Sequence, residues 1–414
     1  MLKGEYHDLF HNYFRIKYTE LNEIYIFSVL RSLSINFIVY FIPIYLFINK
    51  GDLRLVFLYY LLMYATKGFL EPVAVKLIRH FGPKHTIAFS VPFLLLHFWF
   101  LQTLSIYDWP IWILSISGSF ALAFFWQAYH YDFSKAKRKN KATSDVSRHF
   151  ILLNITAVLA PIAGGYLLQN SGPIITFSTV IALLLIGTAA LFKTGDKHLG
   201  DSKIDLKKLN RKRVRRDAVS CMGYTAEDFI SMTVWPIFVY LIVGNYETVG
   251  LVTSVSIFTA VIVMYFVGRR ADKGAKKRFF YIRFGAMAKS LIELLKILIR
   301  TIFGVYLANI AKSLGSAMFT APWTSEYYLH ADKESRSEYI LIMEIATDLV
   351  RVLIAGTLII LSFYLPIKAV LISGLLIASV GALISAVIVP TSDSKEFKIE
   401  DLKILPRPQR REND

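Results

Sequence analysis

The chain has one cysteine, Cys221, in 414 residues, which excludes an internal disulfide and any zinc site built on several thiolates. Charge is scarce as well. Asp, Glu, Lys and Arg together make up 19% of the sequence, below the quarter usual for soluble domains. The charge that is present leans one way, with 47 Lys and Arg against 30 Asp and Glu. No Gly-x-x-x-x-Gly-Lys-Ser/Thr stretch occurs, so a nucleotide-hydrolysing P-loop is not expected. Gly-x-Ser-x-Gly and His-Glu-x-x-His are missing too, and with them the common serine-hydrolase and zinc-protease signatures. His7 and His11 stand one helical turn apart, but no third ligand accompanies them, so no metal or cofactor is expected.

What the sequence does have is apolar length. Hydrophobic residues make up 55% of it, and the mean hydropathy is +0.48. Apolar stretches of about 20 residues recur, enough for a helix to cross a hydrocarbon core of roughly 30 Å. They lack strand-like alternation, and a segment in lipid must satisfy its own backbone hydrogen bonds, so they predict helices. Gly, Pro and charge punctuation marks twelve spans. Six fall at 24–48, 53–78, 85–104, 110–133, 149–168 and 173–192, and six at 217–243, 247–267, 279–299, 304–329, 339–363 and 367–389. Residues 193–216 form the one long basic linker between two six-helix bundles, 24–192 and 217–389. Residues 1–23 are mixed and charged, which predicts a cytoplasmic segment rather than a signal peptide, and 390–414 form a cytoplasmic tail.

With the N-terminus placed inside, the inner loops and tails hold 35 of the Lys and Arg residues. The outer side holds four: Lys50, Arg54, Arg300 and Lys368. That asymmetry predicts a multi-pass protein of the cell (plasma or inner) membrane with both termini cytoplasmic. It also explains a pI near 9.6 through contact with anionic lipid headgroups on the cytoplasmic side, with no nucleic acid needed.

The two sets of six spans resemble each other. Pro43 stands eight residues before Gly51, and Pro236 eight before Gly244, an offset of 193 in both cases. At the same offset the turn GRRADKGAKKR (268–278) falls on VKLIRHFGPKH (75–85). More loosely, WQAYHY (126–131) matches WTSEYY (323–328). Such internal duplication is the mark of bundles that face one another. Gly268, Asp272, Lys273, Gly274 and the basic cluster after them resemble the loop signature of the major facilitator superfamily, with the second glycine one place early. In the first copy Val75 and Arg79 replace the glycine and the aspartate. The resemblance implies an all-α membrane fold of twelve helices in two pseudo-symmetric bundles. It also implies that this turn is a cytoplasmic latch, with Asp272 facing the start of span five near Ser147.

Charged side chains inside the spans are the candidate site. Each costs about 2.5–3.5 kcal/mol at a helix centre and so demands a partner or a wet cavity. Arg31 in span one and Glu227 and Asp228 in span seven lie at similar depth, and in the family's architecture both spans face the centre. They are expected to face each other, to bind substrate or a proton, or to form a structural salt bridge. Glu344, Asp348 and Arg351 form a stripe on span eleven. With Glu227 these carboxylates are candidate proton carriers, and Asp348 with Arg351 reads equally as a neutralised pair. Lys67 and Glu71 read as a structural i, i+4 pair in span two. Lys289, Glu293, Lys296 and Arg300 in span nine read as packing and snorkelling. Trp126, His130 and Trp323 suit a pocket that stacks on a ring, or an interfacial belt, and the belt suits the neighbouring tyrosines. Lys312, deeper in span ten, is a further cavity candidate. Pro161, Gly164 and Gly165 are similar to the end of a motif in the family's exporters, although close helix packing explains them as well.

These features predict a monomeric secondary transporter that moves a small-molecule substrate by alternating access, with protons as a possible second partner and export as the favoured direction. A receptor or assembly factor on the same fold, or an intramembrane lipid-modifying enzyme, are the alternatives.

Overall fold

The computed structural model describes residues 20–137, 142–189, 204–271 and 274–389. Among these residues every regular element is helical. They form twelve rods, two of them broken. Helix α1 runs in two pieces, Glu20–Asn36 and Ile42–Lys50, followed by α2 (Leu53–Phe81), α3 (Pro83–Gln102) and α4 (Ile111–Ala136). Helix α5 is also in two pieces, Ala142–Ala157 and Ala160–Asn170, and α6 (Gly172–Ala189) closes the first half. The second half has α7 (Arg211–Val243), α8 (Tyr246–Ala271), α9 (Ala275–Lys296), α10 (Ile302–Ala331), α11 (Arg336–Tyr364) and α12 (Ile367–Ser385). Among the described residues nine apolar helices are long enough to cross a membrane, with the two pieces of α5 counted as one. The protein is multi-pass. Helix α7 starts at Arg211, inside the stretch expected to be linker, because Asn210 caps it by accepting from the Arg213 N–H at 3.2 Å.

The two breaks have one cause. Pro43 and Pro161 each stand in the first turn of the second piece, where a missing N–H does no harm and where the preceding helix cannot continue through the ring. The expected internal duplication is visible in the backbone. Gly51 and Gly244 end α1 and α7, both left-handed, with φ of 67° and 79°. Gly82 and Gly274 stand just before α3 and α9 with φ of 90° and 135°. The second loop is therefore one residue shorter, and the "early" glycine is the true counterpart of Gly82.

The halves meet along two seams, α2 against α11 and α5 against α8. Under the duplication α2 corresponds to α8 and α5 to α11, so the seams are the same contact made twice about a pseudo-twofold axis. Apolar side chains such as Phe57, Ile230 and Leu358 fill the end remote from the linker. Aromatic ones such as Phe133, Trp323 and Tyr339 fill the linker end.

Candidate functional site

A cavity of about 400 Å³ lies between the halves, walled by α1, α4, α5, α7, α10 and α11. Arg31 lines it with its guanidinium over the ring of Phe125, 3.4 Å from the centroid. Next to Phe125, Trp126 stacks on His130 at 5.4 Å, and His130 is hydrogen-bonded through Nδ1 to the Tyr328 hydroxyl at 2.8 Å. Its Nε2 lies 3.5 Å from the Glu344 carboxylate. Trp323 packs on Tyr224 at 4.7 Å and donates from Nε1 to the Ser220 hydroxyl at 2.9 Å. Trp126, His130 and Trp323 thus stand in the cavity wall. Tyr327 and Tyr328 line the same cavity and are buried, which corrects the expected interfacial belt. Cys221, also buried, is part of the wall.

A side chamber of about 280 Å³ runs from the cavity into the C-terminal half and shares Asp228, Tyr224 and Phe150 with it. Here the expected pairing is corrected. Glu227 does not meet Arg31; it is paired with Lys289 of α9 and, at 2.9 Å, with Lys312 of α10. Consecutive helical residues point about 100° apart, so both line the side chamber but only Asp228 reaches the main cavity. Glu227 turns into its own half, and Asp228 stays on the cavity. The reading of α9 is corrected with it. Lys289, Glu293 and Lys296 are buried, and Glu293 accepts from Lys296 at 2.7 Å and lies 3.4 Å from Lys312. Of its stripe only Arg300 faces outward.

A third cluster joins the halves at mid-depth. Lys67 of α2 donates to Glu71 at 2.6 Å and, across the seam, to Glu344 and Asp348 of α11, both at 2.9 Å. Asp348 also meets Arg351 at 3.1 Å, and Arg351 lies over the Tyr64 ring at 4.6 Å. The expected i, i+4 pair is present, and so is the expected Asp348–Arg351 pair, but the role of Lys67 in holding α11 was not legible. Nothing in the spacing along one helix reports which helix lies opposite.

No family model matches the chain, and no curated protein does. Among solved structures it is similar to a bacterial homologue of the iron transporter ferroportin in an outward-facing state, with a TM-score of 0.62 and 12% identity. That match covers 89% of this chain and 98% of the other. A mutant of the nucleoside transporter NupG gives a TM-score of 0.61 at 13% identity, again over 89% and 98%. The chain has the major facilitator fold. At this identity the likeness concerns the fold alone.

Within that fold the two ends of the cavity are closed differently. At the linker end the closure is ionic. Arg79 donates to Glu338 at 2.5 Å and to Ser337 at 3.1 Å, and Lys137 pairs with Asp332 at 2.7 Å, each bond crossing between halves. Thr143 donates to Ser325 across the same gap at 2.9 Å. Arg79 belongs to the first copy of the loop signature, where it stands in place of the aspartate, and it makes a contact between the halves with the cation on α2 and the anion on α11. In the second copy Gly268 lies in the last turn of α8 and Gly274 makes the bend before α9, whereas Asp272 and Lys273 lie outside the described residues. At the far end the closure is steric. Between the halves, a Cβ on Gly165 would stand 2.6 Å from the Tyr246 carbonyl oxygen, and one on Gly250 would stand 2.2 Å from that of Pro161; within the first half, one on Gly164 would stand 1.8 Å from that of Phe37. Close packing of α1, α5 and α8 therefore accounts for the span-five glycines, which carry no argument about direction.

Proposed function

We propose that the protein is a monomeric secondary transporter that carries a small organic solute across a cell membrane by alternating access. The observation that carries the reading is the cavity itself. It is bounded by both halves and closed at each end by contacts between them, so a rocking motion about its centre would open one end as it shuts the other. The linker end is the cytoplasmic end, because the basic loops and the linker gather there. The ionic contacts of Arg79 and Lys137 form the cytoplasmic gate, and opening that gate means separating them.

Proton coupling belongs to the Lys67 cluster. Glu71, Glu344 and Asp348 face Lys67 and Arg351, one carboxylate more than the cations can neutralise. Moving α11 away from α2 in the rocking step would release Glu344 and Asp348 from Lys67 and change their proton affinity, which is how a proton gradient would drive the cycle. His130 beside Glu344 offers a route from the cavity to that proton.

Reconstitution into proteoliposomes tests the reading. Uptake or release of unmodified solutes from a panel is expected, accelerated by an imposed pH gradient. Glu344→Gln is expected to keep exchange and lose the gradient effect. Absence of flux for every solute, with a lipid product formed instead, would show an enzyme; absence of both would favour a receptor.

A further inference from the structure

Apart from two residues, the carboxylates, lysines and arginines lining the cavity and its side chamber meet an ionic partner. Glu227 has Lys289 and Lys312, Glu344 has Lys67, and Arg351 has Asp348. The two exceptions are Arg31 and Asp228. Neither has an ion pair or a side-chain hydrogen bond with another described residue, although both line the cavity. The Phe125 ring under Arg31 attracts the cation but leaves its in-plane N–H groups free. Arg31 stands on α1 in the first half and Asp228 on α7 in the second.

We propose that the cavity takes a zwitterionic solute whose oxyanion docks on Arg31 and whose ammonium docks on Asp228, with an apolar or aromatic body between Trp126 and Tyr224. The proposal rests on the transport reading above and names the class of solute for the same cavity. The guanidinium presents a planar fork of donors that matches a carboxylate or phosphate, and Asp228 presents only acceptors. A solute with one charge would leave the other residue without a direct ion pair, whereas a zwitterion satisfies both at once. It would also bridge the two halves, so its binding favours the state in which Arg31 and Asp228 are held at one spacing. A cavity of about 400 Å³ suits a molecule of that kind rather than a bare ion.

The test measures binding by purified protein in nanodiscs, by calorimetry and thermal shift. The probes are phenylalanine, 4-(aminomethyl)benzoate and 4-(aminomethyl)phenylacetate, each alongside its methyl ester (ammonium only) and its N-acetyl form (carboxylate only). At least one zwitterion is expected to bind about tenfold or more tighter than both of its capped forms, the scale of a lost charge-assisted hydrogen bond. Arg31→Gln is expected to abolish the penalty for esterification, and Asp228→Asn the penalty for acetylation. Both changes remove a charge that has no ion pair, buried at Arg31 and half-buried at Asp228, so the ligand-free variants are expected to melt no lower than the parent. The proposal is overturned if a capped form binds as tightly as its zwitterion or if no zwitterion in the series binds. It is equally overturned if the variants keep the parent's preferences or melt markedly lower. Zwitterion binding without flux in proteoliposomes would sink the transport reading and leave this proposal standing; flux of singly charged solutes alone would do the reverse.

Discussion

An ammonium group has three N–H bonds, and Lys67 directs them at three carboxylates, one on its own helix and two across the seam. Removing a partner from such a buried set costs about 3–5 kcal/mol, since the remaining charges stay in low dielectric uncompensated. Lys67→Met is therefore expected to lower stability by about that amount in denaturant or thermal unfolding, with part of it restored by adding Glu344→Gln. Glu227→Gln is expected to be harmful for the same reason, because Lys289 and Lys312 lose their shared carboxylate. A melting curve for that variant as high as the parent's would show that the pair is not structural. Charges within the spans were conspicuous in the sequence, since Arg31, Asp228 and Glu344 each interrupt an apolar run. Their partners were not. Lys67 already had an acceptable neighbour four residues on, and Lys289 sat on a helix with no outward sign of facing inward.

At the scale of helices, chain punctuation did most of the work. Pro43, Gly51, Pro161 and Gly244 mark ends and breaks because a ring that lacks an N–H and a residue free at positive φ act locally, without reference to tertiary structure. The start of α7 escaped notice, since Lys and Arg suit both a polar linker and a helix's first turns. Close helix crossings were only half legible. Gly164 could be picked out, but the identity of its neighbour could not. The geometry now separates two kinds of glycine. Gly164→Ala and Gly250→Ala would drive a methyl group into a backbone carbonyl, so both are expected to reduce the yield of folded protein and its melting temperature. Gly51→Ala meets open space and carries only the strain of its φ of 67°, so about 1 kcal/mol is expected. Equal losses in all three would remove the case for tight crossings at the far end.

For the molecule as a whole, the duplication was readable from a few matched positions, yet its main consequence was not. Two equivalent seams carry different chemistry: charge on α2 against α11, and glycine contacts on α5 against α8. The gate pairs are buried, so salt screens them little, and removing their charges is the direct way to weaken the gate. Arg79→Ala combined with Lys137→Ala is expected to shift the population toward a state open at the linker end. The cavity wall already holds a means of watching this. Cys221 is the chain's lone sulfhydryl, so an impermeant maleimide can react at one place, and only while a path to the interior exists. Its alkylation rate should rise in the double variant, giving a clock for gate opening that needs no engineered label.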